Sequence, residues 1–364
     1  MESNKYSDYK LFHFPDKLES LLNRTTSSPL YVRIKPFNAC NHDCFFCVYS
    51  QTSRKNKGTT IEHESAGMHT DIDLTESLPL ERYLSLPQEL HDTGVKAITL
   101  SGGGEPLMHP GTPEVLSRFR HAGIKTSCIT NGQVLKKDCA RELAHSDWVR
   151  VSIDYSTPEE MVASRNVPAS YFDQVLSNIS DFSTLKSDHT DLFVNYIVHR
   201  HNYTHLYSMA KLLKDCGVMN LRFSPMWTPD FEEHHQPIQA DVQRQLDSIR
   251  DDLVDSNFTV NTTYVVSSGL HSSVRSYHRC FVMETIPVIG ADQCVYACHN
   301  KAFDKTGLLG SIQHQTFKDL WYSPELRHYF DNFDAQITCQ HQCSNDHKNI
   351  LMNEVYRSSD DPFI

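Results

Sequence analysis

Short apolar runs alternate with longer amphipathic stretches along most of the chain. Tyr31-Val32-Arg33-Ile34 has the pattern of a first strand. Leu80, Tyr83, Leu84 and Leu90 fall at helical spacing within 80–93, and Gly94 supplies a C-terminal stop. Residues 95–100 read as a second strand that closes in Ser101-Gly102-Gly103-Gly104-Glu105-Pro106. The rhythm continues with a helix over 112–122 and a strand over 124–130, then a helix over 135–145 and a strand from Trp148 to Asp154. A helix over 171–183 leads to a strand from Leu192 to Val198, and one over 203–215 to a strand from Leu221 to Pro225. Six strand–helix units of this kind predict an α/β fold with a parallel sheet and right-handed crossovers. The expected architecture is a partial (β/α)6 TIM-like barrel with its site at the strands' C-terminal ends.

Two stretches depart from the rhythm. Residues 50–73 are polar and read as a long loop or insertion without a core of its own. From about residue 270 the alternation breaks and cysteines return, which marks a small second module. The expected divisions are an N-terminal extension over 1–29, the barrel over 30–265, the C-terminal module over 266–350 and a tail over 351–364.

Charge and composition narrow the function classes. Across 364 residues the net charge is −11, from 34 basic and 45 acidic side chains, which argues against nonspecific binding to nucleic acid or an anionic membrane. No window approaches the length of apolar sequence that spans a bilayer, and the N-terminus lacks the apolar core of a signal peptide. Eleven cysteines, clustered and without an export signal, suggest metal ligation in a reducing, cytoplasmic compartment rather than disulfides.

Cys40, Cys44 and Cys47 follow the first strand at the spacing C-x3-C-x2-C. A [4Fe–4S] cluster usually takes one cysteine per iron, so three thiolates would leave one iron open to a substrate or cofactor. Asn41 and Asp43 suit tight turns, and Phe45 and Phe46 can shield a cluster from water. Zinc, or three unrelated buried thiols, are the other readings, although zinc sites more often show paired C-x2-C units. In the loop Gly102-Gly103-Gly104-Glu105-Pro106, successive glycines let backbone approach a ligand closely, and Glu105 can accept from a cationic amine. An ordinary flexible turn is the alternative there. Arg165 could clamp a carboxylate, or lie on the surface, and Asp154 reads as a helix cap ahead of a substrate contact. Cys280, Cys294, Cys298, Cys339 and Cys343 form a second group that also points to metal ligation. Cys128, Cys139 and Cys216 stand singly and read as buried apolar side chains, while Glu232-Glu233-His234-His235 reads as solvated surface.

The cysteine triad resembles that of the radical S-adenosylmethionine (SAM) superfamily, in which the open iron binds the amino and carboxylate groups of SAM. Gly103-Gly104-Glu105-Pro106 resembles its GGEP segment, Ile129-Thr130-Asn131-Gly132 the end of its third strand and Val151-Ser152-Ile153-Asp154 its fourth. By that resemblance Gly103, Gly104, Glu105, Ser152 and Arg165 would contact SAM, with Asn195 and Tyr196 as weaker candidates. The run from Cys294 to Trp321, with Val295-Tyr296-Ala297-Cys298 and Gly310-Ser311-Ile312, is similar to the auxiliary modules called SPASM or twitch, in which a Trp-bearing helix packs over the cluster. Five cysteines rather than seven imply one auxiliary [4Fe–4S] cluster, held by Cys280, Cys298, Cys339 and Cys343, with Cys294 as a spare or as the replacement for Cys298. The resemblance implies an enzyme that cleaves SAM reductively to a 5′-deoxyadenosyl radical, fed by a donor such as flavodoxin or ferredoxin, with the auxiliary cluster carrying electrons. The short N-terminus favours a small polar metabolite (sugar, aminocyclitol or nucleotide-sugar) undergoing oxidation, epimerisation or elimination. The alternatives are a peptide- or protein-modifying maturase of the sulfatase-maturase kind and a non-catalytic iron–sulfur electron carrier. No residue stands out as a catalytic acid, base or hydrogen donor among the 21 histidines or elsewhere.

Overall fold

The computed structural model of the protein describes residues 8–49, 71–228, 230–262, 264 and 273–357. After α1 (Pro15–Leu22) come β1 (Tyr31–Ile34), α2 (Leu80–Thr93), β2 (Ala97–Leu100), α3 (Thr112–His121), β3 (Lys125–Thr130), α4 (Lys137–Leu143) and β4 (Trp148–Ile153). The chain continues through α5 (Pro158–Arg165), α6 (Tyr171–Leu185), β5 (Asp191–Val198), α7 (Leu206–Asp215), β6 (Asn220–Pro225), α8 (Phe231–His235), α9 (Gln239–Leu253) and β7 (Thr259–Thr262). Its last part holds β8 (Val288–Ile289), β9 (Cys294–Tyr296), β10 (Leu308–Ser311), α10 (Phe317–Trp321), α11 (Pro324–Asn332), α12 (Ala335–Thr338) and α13 (Asp346–Arg357).

All ten strands join one sheet, in the order β10-β9-β8-β1-β2-β3-β4-β5-β6-β7. From β1 to β7 every neighbour is parallel. The expected strand–helix rhythm is therefore present, but with a seventh parallel strand. The C-terminal module also builds onto the same sheet: β8 lies parallel to β1, and β9 and β10 follow antiparallel. Of the polar stretch 50–73, residues 50–70 lie outside the described residues, as do 1–7, 265–272 and 358–364.

The strands are mostly two-faced. Burial alternates along Tyr31–Ile34, Trp148–Ile153 and the first four residues of Asn220–Pro225. Val32, Ile34, Val149, Val151, Ile153, Leu221 and Phe223 point to one side and join the main core. Helices cover that side with Leu86, Leu90, Val115, Phe119, Val175, Phe182, Leu213 and Ile249. The opposite positions carry Tyr31, Arg33, Trp148, Arg150, Ser152, Asn220 and Arg222, so the uncovered face is polar and leans cationic. Local chemistry sets the helix ends. Gly94 closes α2 at a φ of +97°, where its N–H reaches Leu90 and His91. Thr157 caps α5 by accepting from Glu160 N–H, and Glu160 returns a carboxylate oxygen to Ser156 N–H. Among the described residues no helix is long and apolar enough to cross a membrane.

Glu232-Glu233-His234-His235 is not a solvated loop. It lies in α8, where the glutamates are exposed but His234 and His235 are buried. His234 accepts from Arg200 N–H (3.1 Å), and His235 Nε2 lies 2.9 Å from the Met226 carbonyl.

Candidate metal centres

The triad loop leaves β1 and is fastened on both sides by its backbone. On one side Gly104 N–H donates to Phe37 O and Glu105 N–H to Ala39 O (2.9 and 3.0 Å). On the other, Asp43 N–H donates to Arg165 O and Phe45 N–H to Ser164 O (2.9 and 3.0 Å), at the end of α5. The glycines are needed for the first of these contacts. A Cβ at Gly104 would sit 1.9 Å from Ala39 O, and one at Gly103 would sit 2.2 Å from Asn38 Oδ1. Close backbone approach is thus used to hold the loop that presents the thiols.

Cys40, Cys44 and Cys47 lie within electrostatic reach of one another. Burial, then Glu105, pushes Cys40 up to about 12, and burial pushes Cys44 well above its ordinary value. Such thiols stay protonated unless a metal takes the proton's place, which fits soft, thiolate-binding iron. Three thiols from one loop are one fewer than a [4Fe–4S] cluster usually takes, which would leave one iron open to a cofactor. Phe45 is buried and packs edge-on against Phe46 and His199, with centroids 5.2 and 5.0 Å apart.

Glu105 is buried and fully occupied. It accepts from Thr130 Oγ1 (2.7 Å), Asn131 N–H (2.8 Å) and Leu107 N–H (3.2 Å). Burial raises its carboxyl to about 7, against the lowering pull of these donors. Arg165 is neither at the surface nor open to solvent. It pairs with the wholly buried Asp154, donates to Ser152 O (2.7 Å) and lies 3.2 Å from His42 Nδ1. Asp154 therefore serves as the counter-ion of Arg165, not as a helix cap. Burial would raise its carboxyl, yet Arg165 and then His199 outweigh that and hold it at about 2. Ser152 and Asn195 are paired across β4 and β5 on the polar face, and Asn195 accepts from Ser224 Oγ (2.9 Å). Tyr196 points to the opposite face, where it is buried in the main core and bonds Ser156 Oγ (2.8 Å). It is thereby removed from the SAM-contact candidates.

Asn41, His42, Asn131 and Gln133 also build this region; the sequence marked Asn41 only as a turn former and Asn131 only within a strand end, and did not mark His42 or Gln133. Asn131 Nδ2 donates to Asn41 Oδ1 (2.7 Å), and Asn41 Nδ2 donates to Gln133 Oε1 (2.6 Å). Gln133 Oε1 also meets His42 Nε2 (2.8 Å). Burial, then Arg165, lowers His42 to about 3, so its ring is neutral, donating through Nε2 and accepting from Arg165 through Nδ1. The Thr130-Asn131-Gly132 strand end was the available signal; the polar residues inside the cysteine loop offered none beyond turn preference.

The second thiol group is brought together from distant segments. Cys280 lies within electrostatic reach of Cys298, Cys339 and Cys343, and Cys298 within reach of Cys343 and Cys339. Cys294 instead has Asp292, Tyr296 and Glu76 as partners. Burial raises Cys298 to about 12 and Cys339 to about 11, as it raises the triad thiols. Arg275 fastens the Cys339–Cys343 turn, donating to the carbonyls of Cys339 (3.3 Å) and His341 and pairing with Asp346 (2.6 Å). Asn349 on α13 donates to Cys280 Sγ (3.4 Å) and accepts from Phe281 N–H (2.8 Å). Trp321 stacks on Phe317 and donates to Ser27 O (2.9 Å), so its contacts tie α10 to the N-terminal segment rather than to these thiols.

Comparison with known proteins agrees with this layout. The Radical SAM superfamily model matches residues 34–224, and the SPASM model, an iron–sulfur cluster-binding domain, matches 280–345. A probable GTP 3′,8-cyclase of Sulfolobus acidocaldarius is 26% identical over 172 residues, covering 47% of this chain and 48% of that protein. The chain thus spans about half the length of that relative. Among solved structures, Streptococcus suis SuiB bound to precursor peptide SuiA superposes with a TM-score of 0.63 at 16% identity, covering 96% of this chain and 78% of that one. The AdoMet-bound anSMEcpe gives a TM-score of 0.58 at 17% identity, covering 90% of this chain and 96% of that one. The chain is an enzyme of the radical SAM superfamily, carrying a C-terminal SPASM iron–sulfur cluster-binding domain, and its cofactors are SAM, a SAM-binding [4Fe–4S] cluster and auxiliary iron–sulfur.

Proposed function

We propose that this enzyme removes a hydrogen atom from a small polar metabolite of the sugar, aminocyclitol or nucleotide-sugar type, with phosphorylated or nucleotide-linked forms favoured, leading to oxidation, epimerisation or elimination. The observation that carries this is the polar sheet face. Arg33, Arg150 and Arg222 occupy its inward positions on β1, β4 and β6, in a protein whose overall charge is −11. Guanidinium groups suit phosphate and carboxylate by geometry as well as charge. The relatives named for a GTP cyclase support an anionic small molecule as the substrate class.

In this reading Cys40, Cys44 and Cys47 hold the SAM-binding cluster, and Cys280, Cys298, Cys339 and Cys343 hold one auxiliary cluster. When bound, the cluster and SAM supply the 5′-deoxyadenosyl radical that takes the hydrogen atom. The chain's own residues position and exclude. Gly103, Gly104 and Glu105 fix the loop beside SAM, Ser152 and Asn195 line its pocket, and Arg165 braces the thiol loop while offering charge towards the SAM carboxylate. Phe45 and Phe46 keep water from the triad. Cys294 remains outside the ligand set, and the electron donor is a small flavodoxin or ferredoxin. A second reading, peptide modification, is kept because two of the similar folds were solved with peptides bound, SuiA in one and Kp18Cys in the other.

The test is 5′-deoxyadenosine release by anaerobically reconstituted protein with SAM and reductant, across matched panels. Phosphorylated and nucleotide-linked sugars are expected to accelerate release at least ten-fold over neutral sugars and short peptides. Acceleration by peptides alone would transfer the proposal to the peptide reading. No 5′-deoxyadenosine under any condition would falsify the radical reading of the site.

A further inference from the structure

Lys35, the residue that follows β1, is completely buried. Its Nζ donates to Tyr49 Oη (2.5 Å) and Gly102 O (2.6 Å), lies 3.3 Å from His299 Nδ1, and sits 4.3 Å over the Tyr49 ring. Those partners come from three parts of the site. Tyr49 stands two residues beyond Cys47, Gly102 opens the glycine loop, and His299 adjoins Cys298. Tyr49 and His299 also touch each other, with ring centroids 6.1 Å apart. One ammonium group therefore occupies the seam between the radical-site thiols and the auxiliary thiols.

No carboxylate stands among its partners. Burial and the like charge of Arg33 press the Lys35 ammonium well below its ordinary range, while Cys47 and Cys298 pull it back up. Hydrogen bonds to neutral acceptors satisfy its donors but leave its charge uncompensated, and a buried charge without a counter-charge is unfavourable. Negative charge at this seam arrives with thiolate-ligated iron–sulfur, on Cys47 from one side and Cys298 from the other.

We propose that Lys35 is the shared counter-cation of the two clusters: a positioning residue that raises both reduction potentials. This rests on the ligand assignments proposed above. A cation near a cluster favours the reduced, more negative state, so removing it lowers the potential.

The test uses the full-length reconstituted protein, titrated electrochemically with each cluster followed by electron paramagnetic resonance. Lys35→Met is expected to shift both midpoint potentials downward at unchanged iron and sulfide content, and Lys35→Arg to restore both. If the methionine variant fails to load, Lys35→Gln is read in the same way, since it keeps a donor for Gly102 and Tyr49 and drops the charge. Two cluster signals that ignore Lys35, or a shift confined to one of them, overturn the proposal alone. A single cluster signal in the unaltered protein overturns the thiol assignments and this proposal with them.

Discussion

Arg165 and Asp154 show how one buried pair can organise a site. Both are buried, and the pair sits where α5 meets the thiol loop through Arg165 O and Ser164 O. Removing one partner of such a pair leaves a charge stranded, at a cost of about 3–5 kcal/mol. The pair also gives stability a pH dependence with a definite sign. Asp154 is held at about 2, below the roughly 3.9 of an unfolded aspartate, so its contribution is complete above about pH 4 and disappears as pH falls towards 2. Asp154→Asn is expected to be less stable than the unaltered protein at neutral pH, by several kcal/mol, with the gap narrowing by about 2 kcal/mol between pH 5 and 2. Urea unfolding at stepped pH measures that gap, and a gap independent of pH rejects the pair's role. Much at this scale was legible in the chain. The triad spacing singled out Cys40, Cys44 and Cys47 as candidate ligands because three thiols on one short loop have little other use, and the fold keeps them near one another. Cys294 and Cys298 could not be separated that way: they flank one strand with the same parity, about 13 Å apart if extended, and only the tertiary path shows which end meets Cys280.

Among the elements, the glycine loop after β2 carries the sharpest expectation. It is packed against Asn38 and Ala39, the two residues before Cys40. Gly104→Ala forces backbone atoms apart and is expected to cost about 3 kcal/mol or more, with iron at the triad falling before iron at the auxiliary group. Thermal unfolding and site-resolved cluster signals measure both, and equal losses at the two sites would count against a local effect. The element pattern was readable wherever apolar residues were dense, which is why β1 to β6 emerged from periodicity. Several elements did not emerge, among them α1, α5, α8, α9, β7, β8 and α11 to α13. Thr259–Thr262 is four residues with little apolar content, and β8 is only two residues long. Helix α5 is weakly amphipathic, although Thr157-Pro158-Glu159-Glu160 carries the capping signature that could have announced it.

For the whole molecule, the N-terminal segment and the SPASM part support each other. Leu21 on α1 packs with Phe281 and Met352, and Phe281 adjoins Cys280. Leu21→Ala is expected to destabilise the protein by about 2–4 kcal/mol and to lower auxiliary iron first. Denaturant unfolding with iron analysis checks this, and intact auxiliary loading at reduced stability would separate the two effects. Such a dependence was hidden in the sequence, because α1 and α13 lie at opposite ends of the chain and share no local pattern.

The seam between β1 and β8 has a further consequence, in the order of events during synthesis. Arg33 and Ile34 pair with Val288 and Ile289, residues made some 255 positions later. Until β8 emerges, one side of β1 is an open sheet edge, with unpaired amides and carbonyls inviting other chains. Contacts this distant in sequence also form slowly. The growing polypeptide therefore carries an adhesive margin next to its first cysteine group, and that margin is closed by the strand that leads into the auxiliary module. A ribosome stalled before residue 288 would release a sticky product, whereas the finished chain seals its first strand with nearly its last.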